Sequence, residues 1–263
     1  WTRPSGELLL PCEDGARTVE VDWVADRAKD VTLSWDGGSV ALPVSDQRST
    51  VSFEIGADVG RVDVVNNAGG VVFADGYGAD RGFQEVDRGQ YDAPADVFTF
   101  CGNGVAFRRE VLERVGIFDD DFFLYYEDTD LAWRVRAAGW DIRYEPSAVL
   151  RHHHAASSGE WSPVFLFHVD RNRLLLLTKN ATWGLALPQV LRYPLTTASI
   201  AVRSVRQGLA NRHRPAVRPT LLRLRVIASY LRLLPVMLAR RRAIDASRRV
   251  SKRELERRLT PRP

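Results

Sequence analysis

The segment Phe122-Phe-Leu-Tyr-Tyr-Glu-Asp-Thr-Asp-Leu-Ala-Trp-Arg134 constrains this chain more than any other stretch. An aromatic run meets three carboxylates, Glu127, Asp128 and Asp130, and the hydrophobic period then changes. Leu131, Val135 and Ala138 recur at i, i+4 and i+7, which is one apolar face of a helix. The spacing predicts a helix that opens at Glu127 and Asp128, where the helix dipole favours negative charge, and that Gly139 stops. Residues 141–150 read as a short strand and turn that carry His152-His-His154 back towards the carboxylates. Taken singly these features are ordinary: acids cap helices and histidine runs sit in loops. In this order they place carboxylates and a histidine together, which is what a hard divalent cation and a general base require.

The net charge of +4 hides a split. Residues 201–263 hold 18 Lys and Arg against 3 Asp and Glu, so this stretch carries +15 and residues 1–200 carry −11. Three regions follow. Residues 1–61 contain alternating runs, Thr18–Trp23, Val31–Trp35, Val40–Leu42 and Thr50–Ile55, with Asp36-Gly-Gly38 as a turn, and read as antiparallel β. This region is a candidate insert. Trp23 and Trp35 are either core residues or platforms for a sugar. Residues 62–183 are expected to be α/β. Val62 to Val65 runs as a strand into a glycine turn, and Phe98–Cys101 is the next strand. Gly102-Asn103-Gly104 lets backbone approach a ligand, and Arg109–Val115 is a short helix with Gly116 past its end. Residues 184–263 are helical and basic. Cys12 and Cys101 supply no disulfide framework, which fits a reducing compartment.

The ordered string resembles the second half of family 2 glycosyltransferases, the inverting enzymes of the GT-A (Rossmann-like) fold, and most of all their bacterial rhamnosyltransferase-like branch. The matching residues are Gly102-Asn-Gly104, Arg108 to Asp119, Phe122-Phe123, Tyr126 to Leu131, Arg134, Gly139-Trp140, Pro146 and His152, extending through Arg171-Asn-Arg-Leu174 and Lys179-Asn180. The resemblance implies that Asp128 is the catalytic base. It implies acceptor contacts from Glu127, Gly102, Asn103 and Gly104, and diphosphate contacts from Arg171 and Arg173. It also implies a divalent metal (Mg2+ or Mn2+) with His152 as ligand. Asp130 and Arg134 stay open between a role in the site and a helical i,i+4 ion pair.

The family begins with a nucleotide-binding half that ends in an Asp-x-Asp motif, and no stretch here matches it. The chain is therefore expected to be a C-terminal part, with the acceptor side and base but no donor site. In residues 184–263 leucines intermingle with arginines, and no stretch reaches the ~18–20 uninterrupted apolar residues of a spanning helix. Leu185–Val202 comes nearest, interrupted by Pro188, Arg192 and Pro194. A basic amphipathic helix is drawn to anionic lipid, which suits a peripheral enzyme on the cytoplasmic face of the plasma membrane. Arg240–Pro263 reads as a frayed charged tail. Nucleic acid ranks below the membrane as a partner because the leucines cluster. The expected activity is transfer of a sugar, rhamnose by branch resemblance, from a nucleotide-diphosphate sugar to a glycan or lipid-linked acceptor. The alternative is a non-catalytic glycan-binding or membrane-adaptor protein with a degenerate transferase domain.

Overall fold

The computed structural model describes residues 17–23, 31–35, 38–42, 49–55, 63–150 and 162–261. They fall into two compact units, Trp1–Asp63 and Val64–Pro263.

In the first unit β1 (Arg17–Trp23) pairs antiparallel with β4 (Ser49–Ile55), Val19 opposite Phe53. Between them β2 (Val31–Trp35) and β3 (Gly38–Leu42) form a second antiparallel ladder, Leu33 opposite Val40. Alternation is the cause. Val51 and Phe53 are partly buried while Thr50, Ser52 and Glu54 are exposed, the period-two pattern of a half-buried sheet. The side chains of Trp23 and Trp35, and the turn at Asp36, lie outside the described residues.

The second unit opens with short ladders. β5 (Val64–Val65) pairs with β8 (Glu85–Val86), and β6 (Gly70–Val72) pairs with β7 (Gly78–Asp80). Further on, β9 (Ala95–Asp96) pairs with β10 (Arg143–Tyr144). The expected strand at Phe98–Cys101 is reduced to one bridge, Gly70 with Thr99. All named ladders among the described residues are antiparallel and two-stranded, so the α/β class holds through small sheets and helices rather than through a parallel layer.

The helices are α1 (Arg109–Val115), α2 (Glu127–Ala137), α3 (Pro163–Asn180), α4 (Trp183–Ala210), α5 (Arg218–Ser247) and α6 (Lys252–Glu256). Both glycine stops match the sequence reading: Gly116 (φ 77°) follows α1 and Gly139 (φ 89°) follows α2. Leu174, Leu175, Leu176 and Leu177 are all buried because α3 packs on several sides, chiefly along α5. Each such side chain contributes roughly 2 kcal/mol. With Phe122, Trp133, Val226 and Met237 they form the main core.

Two corrections follow. α2 is not a one-faced helix: every residue from Thr129 to Ala138 is buried. Its polar side is buried too, through ionic and carbonyl partners. Arg136, for example, reaches Asp96 and the carbonyls of Val97 and Phe98. The chain's end is also no frayed tail. Leu255 is wholly buried, and the Thr260 backbone exchanges hydrogen bonds with Val72 and Ala74 at 2.9 and 3.0 Å. Glu256 accepts from the Thr182 amide (2.6 Å) and hydroxyl (2.9 Å) at the start of α4. Apolar residues at 244, 250, 255 and 259 pack on the core, which outweighs the charges around them.

Candidate active site

Asp128 sits in the first turn of α2, at the end of a left-handed backbone passage. Phe123, Tyr125 and Tyr126 have φ of 59°, 63° and 68°, a region that bulky residues rarely occupy. The surrounding structure holds them there. Asn172 of α3, fully buried, sets its Nδ2 within 2.7–2.8 Å of the carbonyls of Phe122, Leu124 and Tyr125. Arg171 donates to the carbonyls of Asp121 (2.9 Å) and Phe122 (3.1 Å). The Tyr126 hydroxyl accepts from the Gly78 amide at 3.2 Å. Backbone strain held by over-determined contacts is a mark of functional turns.

Asp128 is largely enclosed. One carboxylate oxygen accepts from the Thr129 amide (2.6 Å) and hydroxyl (3.2 Å), and the other from the Gly102 amide (3.3 Å). Burial pushes its pKa above the usual carboxylate range and the Asp80 charge adds to this, against the hydrogen bonds from Thr129 and Gly102. Glu127 differs. One of its oxygens is buried without a hydrogen-bond partner. Burial, and then the Asp128 charge, push its pKa to about 7. Glu127, Gly102, Phe118, Asp119, Asp120 and Phe123 line a cleft of about 520 Å³.

The expected site residues divide into groups. Glu127, Asp128 and Gly102 come together. Gly102 directs its amide to Asp128, and a Cβ there would lie 4.0 Å from the Asp128 Cβ. Asn103 is exposed on the same turn. Gly104 is exposed on that turn too, and a Cβ there would meet the end of the exposed Leu150 side chain at 2.4 Å. Arg171 and Arg173 are buried (8% and 4% exposed), and their guanidinium groups serve the protein. Arg171 fastens the turn before α2, and Arg173 donates to the Asp75 carbonyl (2.9 Å) and lies over the Tyr77 ring. The Nε of Arg173 is buried without a hydrogen-bond partner. His152 lies outside the described residues. Among the described residues no three His, Cys, Asp or Glu side chains are grouped to hold a metal ion.

Asp130 and Arg134 do form the i,i+4 pair, at 2.8 Å and buried. Asp130 also accepts from Lys179 (2.8 Å) and Asn180 (2.9 Å). Lys179 continues to Asp119 (2.6 Å), and Arg240 of α5 binds Asp119 (2.5 Å) and Asp121 (2.6 Å). Burial alone would raise the Asp130 pKa, but Lys179 and Arg134 outweigh it and hold it below the ordinary range. This network ties α2, α3 and α5 to the cleft wall at Asp119. Sequence reasoning missed Thr129, Asn172 and the Lys179 connections. The signal was that Tyr126–Leu131, Arg171-Asn172-Arg173 and Lys179-Asn180 match the family string.

Comparison with known proteins agrees with that string. A family model described as glycosyl transferase family group 2 matches residues 27–239, beginning inside the β region. An N-acetylglucosaminyl-diphospho-decaprenol L-rhamnosyltransferase of Mycobacterium tuberculosis is 36% identical over 104 residues, 39% of this chain and 33% of the relative. A pre-mycofactocin glycosyltransferase of the same organism is 29% identical over 121 residues, 44% of this chain and 23% of the relative. The matched part thus spans a third or less of these curated relatives. No solved structure matches. With the family match covering most of its length, the chain belongs to group 2 of the glycosyltransferases.

Proposed function

We propose that this chain carries the acceptor side and catalytic base of an inverting, GT-A-type glycosyltransferase. In this reading it moves a sugar, rhamnose by its relatives' likeness, from a nucleotide-diphosphate donor to a glycan or lipid-linked acceptor of the cell envelope. Asp128 takes the proton of the acceptor hydroxyl, the freed oxygen bonds to the anomeric carbon, and the bond to the diphosphate breaks with its electron pair leaving on the diphosphate. Attack and departure occur on opposite faces, so the configuration inverts. A carboxylate whose pKa burial has raised is a stronger base than a free aspartate. Glu127, with an oxygen that has no partner, is the proposed contact for the acceptor hydroxyls, beside Asn103 and the turn at Gly102 and Gly104. The family's divalent cation, Mg2+ or Mn2+, would neutralise charge on the leaving diphosphate, with His152 as its proposed ligand from this chain. The proposed setting is the inner face of the plasma membrane, with the basic helical region against the lipid.

The observation that carries this reading is Asp128, held by the amides of Gly102 and Thr129, next to Glu127, which lines the cleft together with Gly102. Asp128→Asn keeps the shape and removes the base. In the full-length enzyme it is expected to lower the transfer rate by about 10²–10⁴-fold while donor affinity, read by calorimetry, stays nearly unchanged. Normal turnover by the variant overturns the assignment.

A further inference from the structure

We infer that the outer face of α4 is a docking surface for an anionic lipid bilayer, with the helix lying in the plane of the interface. The inference rests on the lipid-linked-acceptor reading and names the part of the chain that meets the lipid.

Three observations carry it. First, Leu187, Leu191, Leu195, Val202, Val205 and Leu209 recur at spacings of three, four or seven residues and make one stripe along α4. Leu191, Leu195 and Leu209 are 61%, 68% and 76% exposed. The stripe is distinct from the packed face, where Ala186, Tyr193 and Thr197 are buried. A continuous exposed apolar stripe on a helix about 42 Å long is more than the scattered leucines of an ordinary surface. Second, at 3.6 residues per turn Arg192, Arg203 and Arg206 fall together along the side of the stripe away from the packed face, and all three are exposed. Third, there is no Asp or Glu anywhere between Asp170 and Asp245. α4, and α5 up to Asp245, therefore present cations with no carboxylate of their own, which complements an anionic leaflet. α5 repeats the pattern with Leu221, Leu224 and Leu231 exposed beside Arg225 and Arg232.

The same observations weigh against other occupants. A second copy docked face to face would set arginine rows against each other with no counter-charge. Nucleic acid would meet the arginines but gain little from six exposed aliphatic side chains. No helix among the described residues is long and apolar enough to cross a membrane, so the face lies on the bilayer. An apolar stripe flanked by a basic row is what such interfacial helices carry.

The test is co-sedimentation of the full chain with vesicles of phosphatidylcholine alone or mixed with phosphatidylglycerol. The wild type is expected to bind the mixed vesicles and hardly the neutral ones. Leu191→Gln/Leu195→Gln/Leu209→Gln should weaken that binding about tenfold or more, with an unchanged circular dichroism spectrum. Arg192→Gln/Arg203→Gln/Arg206→Gln should erase the preference for the anionic vesicles, and keeps the test decisive should the leucine variant misfold. Binding to neither vesicle overturns the inference, as does equal binding by wild type and both variants. So does a concentration-dependent dimer in sedimentation velocity that the leucine variant abolishes without any lipid binding, or displacement from vesicles by short RNA or DNA at matched charge. Transfer to a water-soluble acceptor, assayed in the full-length enzyme with its donor-binding half, separates the two readings. Vesicle binding without transfer breaks the enzymatic reading and leaves docking standing. Transfer without vesicle binding does the reverse.

Discussion

The two edges of α2 treat chemically similar groups in opposite ways. On the cleft edge, Glu127 and Asp128 are short of positive partners, and burial raises both carboxyl pKa values. On the core edge, two residues on from Asp128, Asp130 is more deeply buried yet stays ionised because Lys179, Arg134 and Asn180 converge on it. Depth of burial therefore does not set the charge state; the partners do. The cleft edge favours the protonated carboxyl and the core edge the ionised one.

The sharpest way to break this comparison is to neutralise each edge in turn. Asp130→Asn leaves Lys179 and Arg134 buried with less counter-charge, and should cost about 3–5 kcal/mol, read as a fall in the urea midpoint. Asp128→Asn removes a charge that its site disfavours at neutral pH, and should leave the midpoint unchanged or raise it. Equal losses would mean that the edges are alike.

A smaller effect is expected one layer out. Asn172→Ala deletes the amide that holds the left-handed turn, leaving the carbonyls of Phe122, Leu124 and Tyr125 short of a donor. A loss of about 1–3 kcal/mol should follow. Because that turn delivers Asp128, the transfer rate of the folded variant in the full-length enzyme should fall with little change in donor affinity. An unchanged rate would detach the turn from the site.

The pH dependence sharpens the cleft edge. Glu127 titrates near 7 in the folded chain against 4.5 for a free side chain. The folded state thus binds this proton more tightly than the unfolded one. The contribution is fully present below about 4.5 and is lost as pH rises through about 7. Glu127→Gln should flatten that part of the stability profile. In Asp128→Asn, a carboxyl carbon NMR titration should find the Glu127 pKa below its wild-type value, because one of its two upward pushes is gone. An unmoved value would mean that the two carboxylates do not sense each other.

The smallest effect is a control. Arg109 and Glu113 also form an i,i+4 pair at 2.8 Å, with side chains 90% and 60% exposed. Arg109→Ala should cost no more than about 0.5 kcal/mol in the same urea assay. In sequence this pair and Asp130–Arg134 share the i,i+4 spacing in opposite order, and burial with the extra partners Lys179 and Asn180 sets the second apart.

What the sequence determined by itself is local. Alternation marked β1 to β4, the change of period after Tyr126 marked α2, and Gly116 and Gly139 marked two helix ends, because backbone preference and side-chain period act over a few residues. The family string also brought Glu127, Asp128 and Gly102 to notice, and the structure gathers them in one place. Only the tertiary structure decided what the cations do. In sequence Arg171 and Lys179 are only matches to the family string, and packing makes one a fastener of the turn before Asp128 and the other the partner of two aspartates. It likewise folded the charged C-terminal stretch onto β6 and α4, where Leu255 and Leu259 are buried. A charge has no fixed role in a sequence, since its worth depends on how much water is removed and which opposite group arrives, and both come from residues far away in the chain.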